Sequence, residues 1–333
     1  MRLALVRLSA LGDIVLAARM LQFLKAQRLN ISISWVVDQR FAPILHNSPY
    51  IDTVISLDLK GLSTNLSWER VASAYRTLKE SGNFDLVIDL HGMIKSAIVA
   101  KLLGPTVGFG VAEAAEPLAS LLYKKRFLVG ATTYTERFRH LAFLALGLDP
   151  GMGEPLHHQP FLFASPTAQR KTSSLWLDSH PKIVIVIGSS MQEKEYPTHL
   201  WIQVIKKCGL PVFLIHGNER EEQLAKTIAS STPLAYMIPR LSLDELKALM
   251  SQADLVVGVD SGPTHIAWGC GTPTITLMGH VIRSRRYRND SYTPTDDHEL
   301  LRPPPKAIPT ISPAAIAPEI VAQTMMKMLR RKL

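Results

Sequence analysis

Cysteine is nearly absent from the chain. Cys208 and Cys270 are the only two in 333 residues, and neither stands in a CxxC or Cys/His spacing, which argues against a structural zinc site and a disulfide framework. Both are expected as small buried apolar groups in a reducing cytoplasm. Long apolar runs are missing too: nothing reaches the roughly 18 residues a membrane span needs. The first stretch, MRLALVRLSALGDIVLAARM, is apolar, but Arg7, Asp13 and Arg19 interrupt it and no small-residue cleavage site follows, so an export signal is not expected. Neither GxGxxG nor GxxxxGKS/T occurs in the loops where a dinucleotide or P-loop site would need it. Acidic residues are outnumbered, 28 against 37 basic ones, giving a net charge of +9 and a pI near 9.5. That excess favours anionic partners such as phosphorylated ligands or acidic membrane surfaces. It is spread over both halves without basic-aromatic interleaving, so nucleic acid fits poorly.

What is present is a composition of 47% hydrophobic and 20% charged residues, that of a globular protein with a large core. The length suggests two domains of about 150 residues. β-Branched runs at 3–8, 31–37, 52–58, 85–90 and 106–110 alternate with helical patterns at 13–27, 68–81, 93–103 and 134–147, which predicts βα units on a parallel sheet. From 151 to about 180 the periodicity fades into His, Pro, Ser and Thr, the mark of a linker. Strands then resume at 182–188, 211–217, 253–260 and 272–279, with a capping box at Ser242 and Glu245, a proline-rich stretch at 303–313 and a last helix. The expected fold is α/β, two Rossmann-like doubly wound domains in tandem, with ligands beyond the carboxyl ends of the strands.

Four strand-to-helix loops carry more polar chemistry than a turn requires. In RLSALGDIV (7–15), Asp13 opens a helix, where a carboxylate serves equally as a cap or as a general base. In GSSMQEKEYP (188–197), Ser189, Ser190 and Lys194 suit a phosphate. In HGNEREEQL (216–224), an acidic residue in the first helical turn is either a dipole partner or a ligand for a ribose hydroxyl. In LVVGVDSGPTHIA (255–267), Asp260, Ser261, Gly262 and His265 crowd the start of a helix whose free N–H groups attract phosphate.

Taken in order, LGD (11–13), DLHGMIKSA (89–97), EPLASLLYKKR (116–126), ERFRHLAFLALG (136–147), Lys194 to Pro197 with Trp201, GNERE (217–221) and VDSGPTHIA (259–267) resemble the lipopolysaccharide heptosyltransferases. These are two-domain GT-B enzymes of glycosyltransferase family 9. GMIKSA and EPLASLLY are most similar to the heptosyltransferase I branch, which adds the first heptose to the inner 3-deoxy-D-manno-octulosonic acid (Kdo) of Kdo2-lipid A. The resemblance implies inverting transfer from ADP-L-glycero-β-D-manno-heptose, with Asp13 as base and no obligatory metal ion. It implies an acceptor-binding domain over 1–165, a nucleotide-sugar-binding domain over 166–312 and a C-terminal helix over 313–333.

By the same resemblance Ser189, Ser190, Lys194, Glu221, Leu241, Asp260, Ser261, Gly262, Pro263 and His265 bind the donor. Lys95, Lys124, Lys125, Arg126, Arg137 and Arg139, joined by Arg70 and Arg76, face the anionic acceptor, and the enzyme is expected peripherally at the cytoplasmic face of the inner membrane. Departures from the family pattern are Pro263 for the usual leucine, Leu241 for a common methionine, and MGHVIRSRRYRND where a YGP-type turn is usual. The arginines 283, 285, 286 and 288 in that stretch are left unassigned. Competing readings are a related transferase with another sugar nucleotide or a later core acceptor such as that of heptosyltransferase II, a non-catalytic nucleotide-binding protein, and a Rossmann oxidoreductase. The missing glycine fingerprint disfavours the last.

Overall fold

A computed structural model describes residues 1–27, 29–64, 67–131, 133–151, 159–178, 180–279, 298–302 and 312–332. The described residues up to 151 form one compact unit and those from 159 onward another. The run of arginines 283 to 288 and most of the proline-rich stretch fall outside the described residues.

The first unit holds six parallel strands, β1 Arg2–Val6, β2 Ser32–Asp38, β3 Thr53–Leu57, β4 Leu86–Asp89, β5 Thr106–Phe109 and β6 Lys125–Phe127, in the order β3-β2-β1-β4-β5-β6. The second holds β7 Ile183–Val186, β8 Val212–Ile215, β9 Ala235–Met237, β10 Leu255–Val259, β11 Thr274–Leu277 and β12 His298–Leu301, in the order β12-β11-β10-β7-β8-β9. Both sheets therefore have the same winding: the first strand of each unit lies beside its second on one side and its fourth on the other. That is the doubly wound arrangement, with a switch point between β1 and β4 and another between β7 and β10. Interior strands such as IVIV and VFLI are buried at every position, because helices cover both faces of a parallel sheet.

Three strands escape the sequence reading, β6 (KRF), β9 (AYM) and β12 (HELL), and all three are sheet edges. KRF and AYM are only three residues long, and KRF and HELL carry charge, so the apolar signal is weak in them, whereas the longer edge strand β3 (TVISL) was readable. The helix expected over 13–27 is two, Leu11–Ala18 and Met20–Ala26, parted at Arg19.

The expected linker over 151–180 is corrected in part. Phe161 and Leu162 are buried and their N–H groups donate to the Gly269 carbonyl at 2.8 and 3.0 Å. Helix Pro166–Ser173 then starts from a Ser165 cap, and Ser165 Oγ also donates to Asp244 at 2.6 Å. Lys247, buried on helix Leu243–Gln252, donates to the Phe163 carbonyl at 2.7 Å. Side chains from a distant helix give this segment its structure, which periodicity cannot report. The second unit thus takes in residues ahead of the expected boundary at 165/166.

Helices are fixed by local chemistry and then by burial. Capping boxes at Thr133/Glu136 and Ser242/Glu245 are both formed, and each cap contributes about 1 kcal/mol. Helices Trp68–Glu80 and Ile94–Leu103 lie side by side, and Leu78, Ala100 and Leu103 pack on Ala4, Val6 and Val36. The last helix, Pro318–Lys332, packs on helix Thr198–Cys208, and the Tyr196 hydroxyl donates to the Ile316 carbonyl at 2.7 Å. Cys208 and Cys270 are free and buried.

Candidate active site

In the first unit the switch point brings the end of β1 next to the end of β4. Residues 7–10 lead from β1 into helix Leu11–Ala18, with Asp13 in its first turn. Its Oδ2 accepts from the Arg7 guanidinium at 2.6 Å and from the Ala10 N–H at 3.3 Å. Oδ1 has no hydrogen-bond partner among the described residues, and the side chain is 37% exposed. One oxygen is anchored and the other is open, the arrangement of a positioned base. Capping and base roles are thus compatible, since they use different oxygens.

Arg7, unassigned by the sequence reading, is what holds Asp13. It is buried, donates to the Leu90 carbonyl just past β4 at 2.9 Å, and lies 5.4 Å from the Phe138 ring centroid. A cation at the end of an apolar strand was the available signal. Its partner is close in sequence, but its carbonyl and aromatic neighbours are not.

Two buried groups set the β4 loop. Asp89 accepts from the Tyr123 hydroxyl at 2.7 Å, the Ser96 hydroxyl at 2.8 Å and the His91 N–H at 2.8 Å. Burial pushes its carboxyl above the usual range despite these donors. His91 Nδ1 accepts from the Leu8 N–H at 3.4 Å. Burial first, and then the Arg7 and Lys95 cations, lower the ring's pKa from 6.5 to about 2, so it is neutral.

In the second unit the loops after β7 and β10 carry most of the expected donor residues. Lys194, ending a short 3₁₀ turn at Gln192–Lys194, places Nζ 2.5 Å from Asp260 Oδ2, and His265 Nε2 lies 3.2 Å from Asp260 Oδ1. Burial opposes ionisation of Asp260, yet the His265 and Lys194 contacts hold its carboxyl well below the usual range. Ser261 is the N-cap of helix Gly262–Gly269, with Pro263 in its first turn, and the Ser261 and Thr264 hydroxyls are 3.3 Å apart. Thr264 Oγ1 donates back to the Val259 carbonyl at 2.7 Å. A Cβ on Gly258 would lie 2.4 Å from that hydroxyl oxygen, so only glycine lets strand and helix start approach this closely.

Glu221 is pinned at the same end of the sheet. Its Oε2 accepts from the Gly217 N–H at 2.7 Å, and a Cβ on Gly188 would meet its carboxyl carbon at 2.3 Å. Ser189 is held by a residue the sequence reading did not assign: its N–H donates to Glu195 Oε1 at 3.1 Å, and Arg220 clamps the same carboxylate. That N–H is therefore already committed. Ser190 is exposed. Leu241 follows β9 at the sheet edge, two strands from β7.

The expected acceptor cations do not share one place. Arg70 pairs with Asp58 at 3.5 Å, beyond edge strand β3, whereas Lys125 and Arg126 lie on the opposite edge, β6. Successive strand residues face opposite ways, so Lys125 and Arg126 do not point together. Arg137 stacks 4.3 Å from the Phe109 ring centroid and donates to the Glu113 carbonyl. Arg139 lies against Phe23 at 5.1 Å, where burial lowers its pKa. Arg76, Lys95 and Lys124 are exposed.

Two doubly wound units, each with polar residues gathered at a switch point, have the GT-B fold. Residues 71–288 match the model of glycosyltransferase family 9 (heptosyltransferase). Lipopolysaccharide heptosyltransferase 1 of Campylobacter coli is 33% identical over 307 residues, covering 87% of this chain and 86% of that one. The enzyme of the same name from Pseudomonas aeruginosa is 30% identical over 292 residues, covering 84% and 79%. Escherichia coli heptosyltransferase WaaC, solved with ADP, has a TM-score of 0.80 at 24% identity, covering 98% of this chain and 100% of its own. WaaC has also been solved with ADP-2-deoxy-2-fluoro heptose. The chain belongs to glycosyltransferase family 9, and is a heptosyltransferase of lipopolysaccharide core synthesis.

Proposed function

We propose that the chain moves L-glycero-D-manno-heptose from ADP-heptose to the inner Kdo of Kdo2-lipid A by a single inverting displacement. The observation that carries the reading is Asp13, one oxygen fixed by Arg7 and the other open. The acceptor hydroxyl oxygen attacks the anomeric carbon, its proton passes to Asp13 Oδ1, and the bond from that carbon to the ADP oxygen breaks. The ionised carboxylate also favours positive charge developing at the anomeric centre.

Charge on departing ADP is met in the second unit. The start of helix Gly262–Gly269 offers backbone N–H groups and the positive end of its dipole. Lys194 and His265 stand beside it, both oriented by Asp260, and donors fixed in advance need no reorganisation as charge appears. Glu221 is the candidate for the nucleoside sugar. That WaaC is known with ADP and with an ADP-heptose analogue supports this donor.

The test is product mass. Incubated with ADP-heptose and Kdo2-lipid A, the protein should release ADP and add one heptose. A panel with other ADP- and UDP-sugars and with a heptosylated acceptor should run at least about tenfold slower. Transfer to the heptosylated acceptor in preference would replace this reading with that of a later core transferase.

A further inference from the structure

Large apolar side chains left in water are unevenly distributed. Among the described residues, all those exposed beyond about a third except Tyr236 and Ile320 belong to the first unit, and most sit on three neighbouring elements. Helix Trp68–Glu80 turns Ala74 and Leu78 to the core but leaves Trp68 83% exposed, with Val71 and Tyr75 exposed at i+3 and i+7. Beside it, helix Ile94–Leu103 buries Ala97, Ala100 and Leu103 and exposes Ile94, Ile98 and Leu102, spaced i, i+4 and i+8. Against that helix packs the 3₁₀ turn Pro117–Leu122, with Ala119 inward and Leu118 and Leu121 each 64% exposed. A surface helix needs one apolar stripe for its own packing. Each helix here has a second one that the unit does not use.

Around this face exposed cations outnumber the carboxylates left without a partner. Lys79, Lys95, Lys101 and Lys124 are exposed, and none forms an ion pair among the described residues. Glu69 and Glu80 on helix Trp68–Glu80 are exposed, while the other nearby carboxylates are engaged: Glu116 accepts from the Ile94 N–H at 2.8 Å, and Glu113 accepts from the Val129 and Gly130 N–H groups at 2.8 and 3.0 Å. Exposed apolar groups with an excess of cations match an anionic bilayer surface, where apolar side chains enter the acyl boundary and lysines meet headgroup phosphates. A second copy of the chain fits worse, because a two-fold contact lays the patch on itself, cation against cation. No described helix is long and apolar enough to cross a membrane.

We propose that this face of the first unit docks the protein on bilayers bearing anionic phospholipid headgroups, with Trp68, Leu118 and Leu121 entering the boundary. Ile94 and Lys95 start the helix that follows β4, the strand whose end also anchors Arg7 and hence Asp13. The face therefore begins beside the proposed base. The inference rests on the membrane-borne acceptor proposed above, but its test needs neither donor nor acceptor.

Trp68 gives a direct signal. Of the five tryptophans it alone is exposed: Trp35, Trp201 and Trp268 are buried, and Trp176 is half-buried and donates to Gln252 at 2.8 Å. The full chain is mixed with vesicles of phosphatidylcholine alone or with about 30 mol% phosphatidylglycerol, a composition that makes the surface anionic. We expect a blue shift of tryptophan emission and co-sedimentation on the anionic vesicles only, reversed by high salt. The shift should vanish in Trp68→Phe. Leu118→Ser with Leu121→Ser should weaken binding at least about tenfold, at an unchanged melting temperature. Lys101→Glu with Lys124→Glu should weaken it further, since each cation near such a surface is worth about fivefold. Equal binding by all variants, or none by the native protein, overturns the proposal. So does concentration-dependent self-association that Leu118→Ser abolishes, which would make the face a contact between copies.

Discussion

Asp13 and Arg7 show how the role proposed for a single side chain depends on its neighbour. A carboxylate in a first helical turn is commonplace; one whose outer oxygen is left open while a buried guanidinium fixes the other is not. His91 illustrates the same dependence on surroundings, because burial and two cations keep its ring neutral. Its pKa is depressed in the folded chain, from 6.5 to about 2. The associated stability is therefore fully present above pH 6.5 and is lost as pH falls from there toward 2. At pH 5 the loss is about 2 kcal/mol. His91→Asn keeps an acceptor near the Leu8 N–H and removes the titration. Its melting temperature should fall less than that of the native protein between pH 7 and pH 5, and parallel curves for the two would contradict the assignment.

The crowding of Asp260, Ser261, Gly262 and His265 was legible at this scale, because the residues are neighbours in sequence and chemically out of place after an apolar strand. Arg7, Glu195 and Arg220 were not. Their roles depend on partners that only the fold supplies: the Leu90 carbonyl for Arg7, the Ser189 loop for Glu195, and an ion pair across 25 residues for Arg220.

At the scale of elements, the interior strands could all be read, while of the four edge strands only β3 could. Burial on both faces writes a continuous apolar run into IVIV or VFLI, whereas KRF, AYM and HELL are edge strands without such a run. Helix starts were readable where the cap is local, as at Ser242 with Glu245. The segment around Phe161 was not, because its backbone partners belong to Gly269. Gly258 joins strand to site: β10 and helix Gly262–Gly269 close on each other only if position 258 has no side chain. In Gly258→Ala the new Cβ would lie 2.4 Å from Thr264 Oγ1 and 2.7 Å from Val186 Cβ. Overpacking of this kind costs about 1–3 kcal/mol. The variant should melt lower and bind ADP at least about tenfold more weakly, because the helix start that carries Ser261 and His265 must shift. A native melting temperature with native ADP affinity, read by calorimetry, would show that the close approach is not needed.

Across the whole molecule, two sheets have the same winding, and the proposed chemistry divides between them. The proposed base and the proposed membrane face belong to the first unit. The cluster assigned to the nucleotide belongs to the second. This division makes a sharp prediction, because a change at Asp13 should alter chemistry without altering nucleotide binding. The most direct measurement is the single-turnover rate of heptose transfer by Asp13→Asn, with ADP affinity determined on the same preparation. The account predicts a rate lower by about 100-fold or more, the scale of a lost general base, at an ADP affinity equal to that of the native protein. Equal rates would reduce Asp13 to a helix cap, and a parallel loss of ADP affinity would place it in the nucleotide site instead.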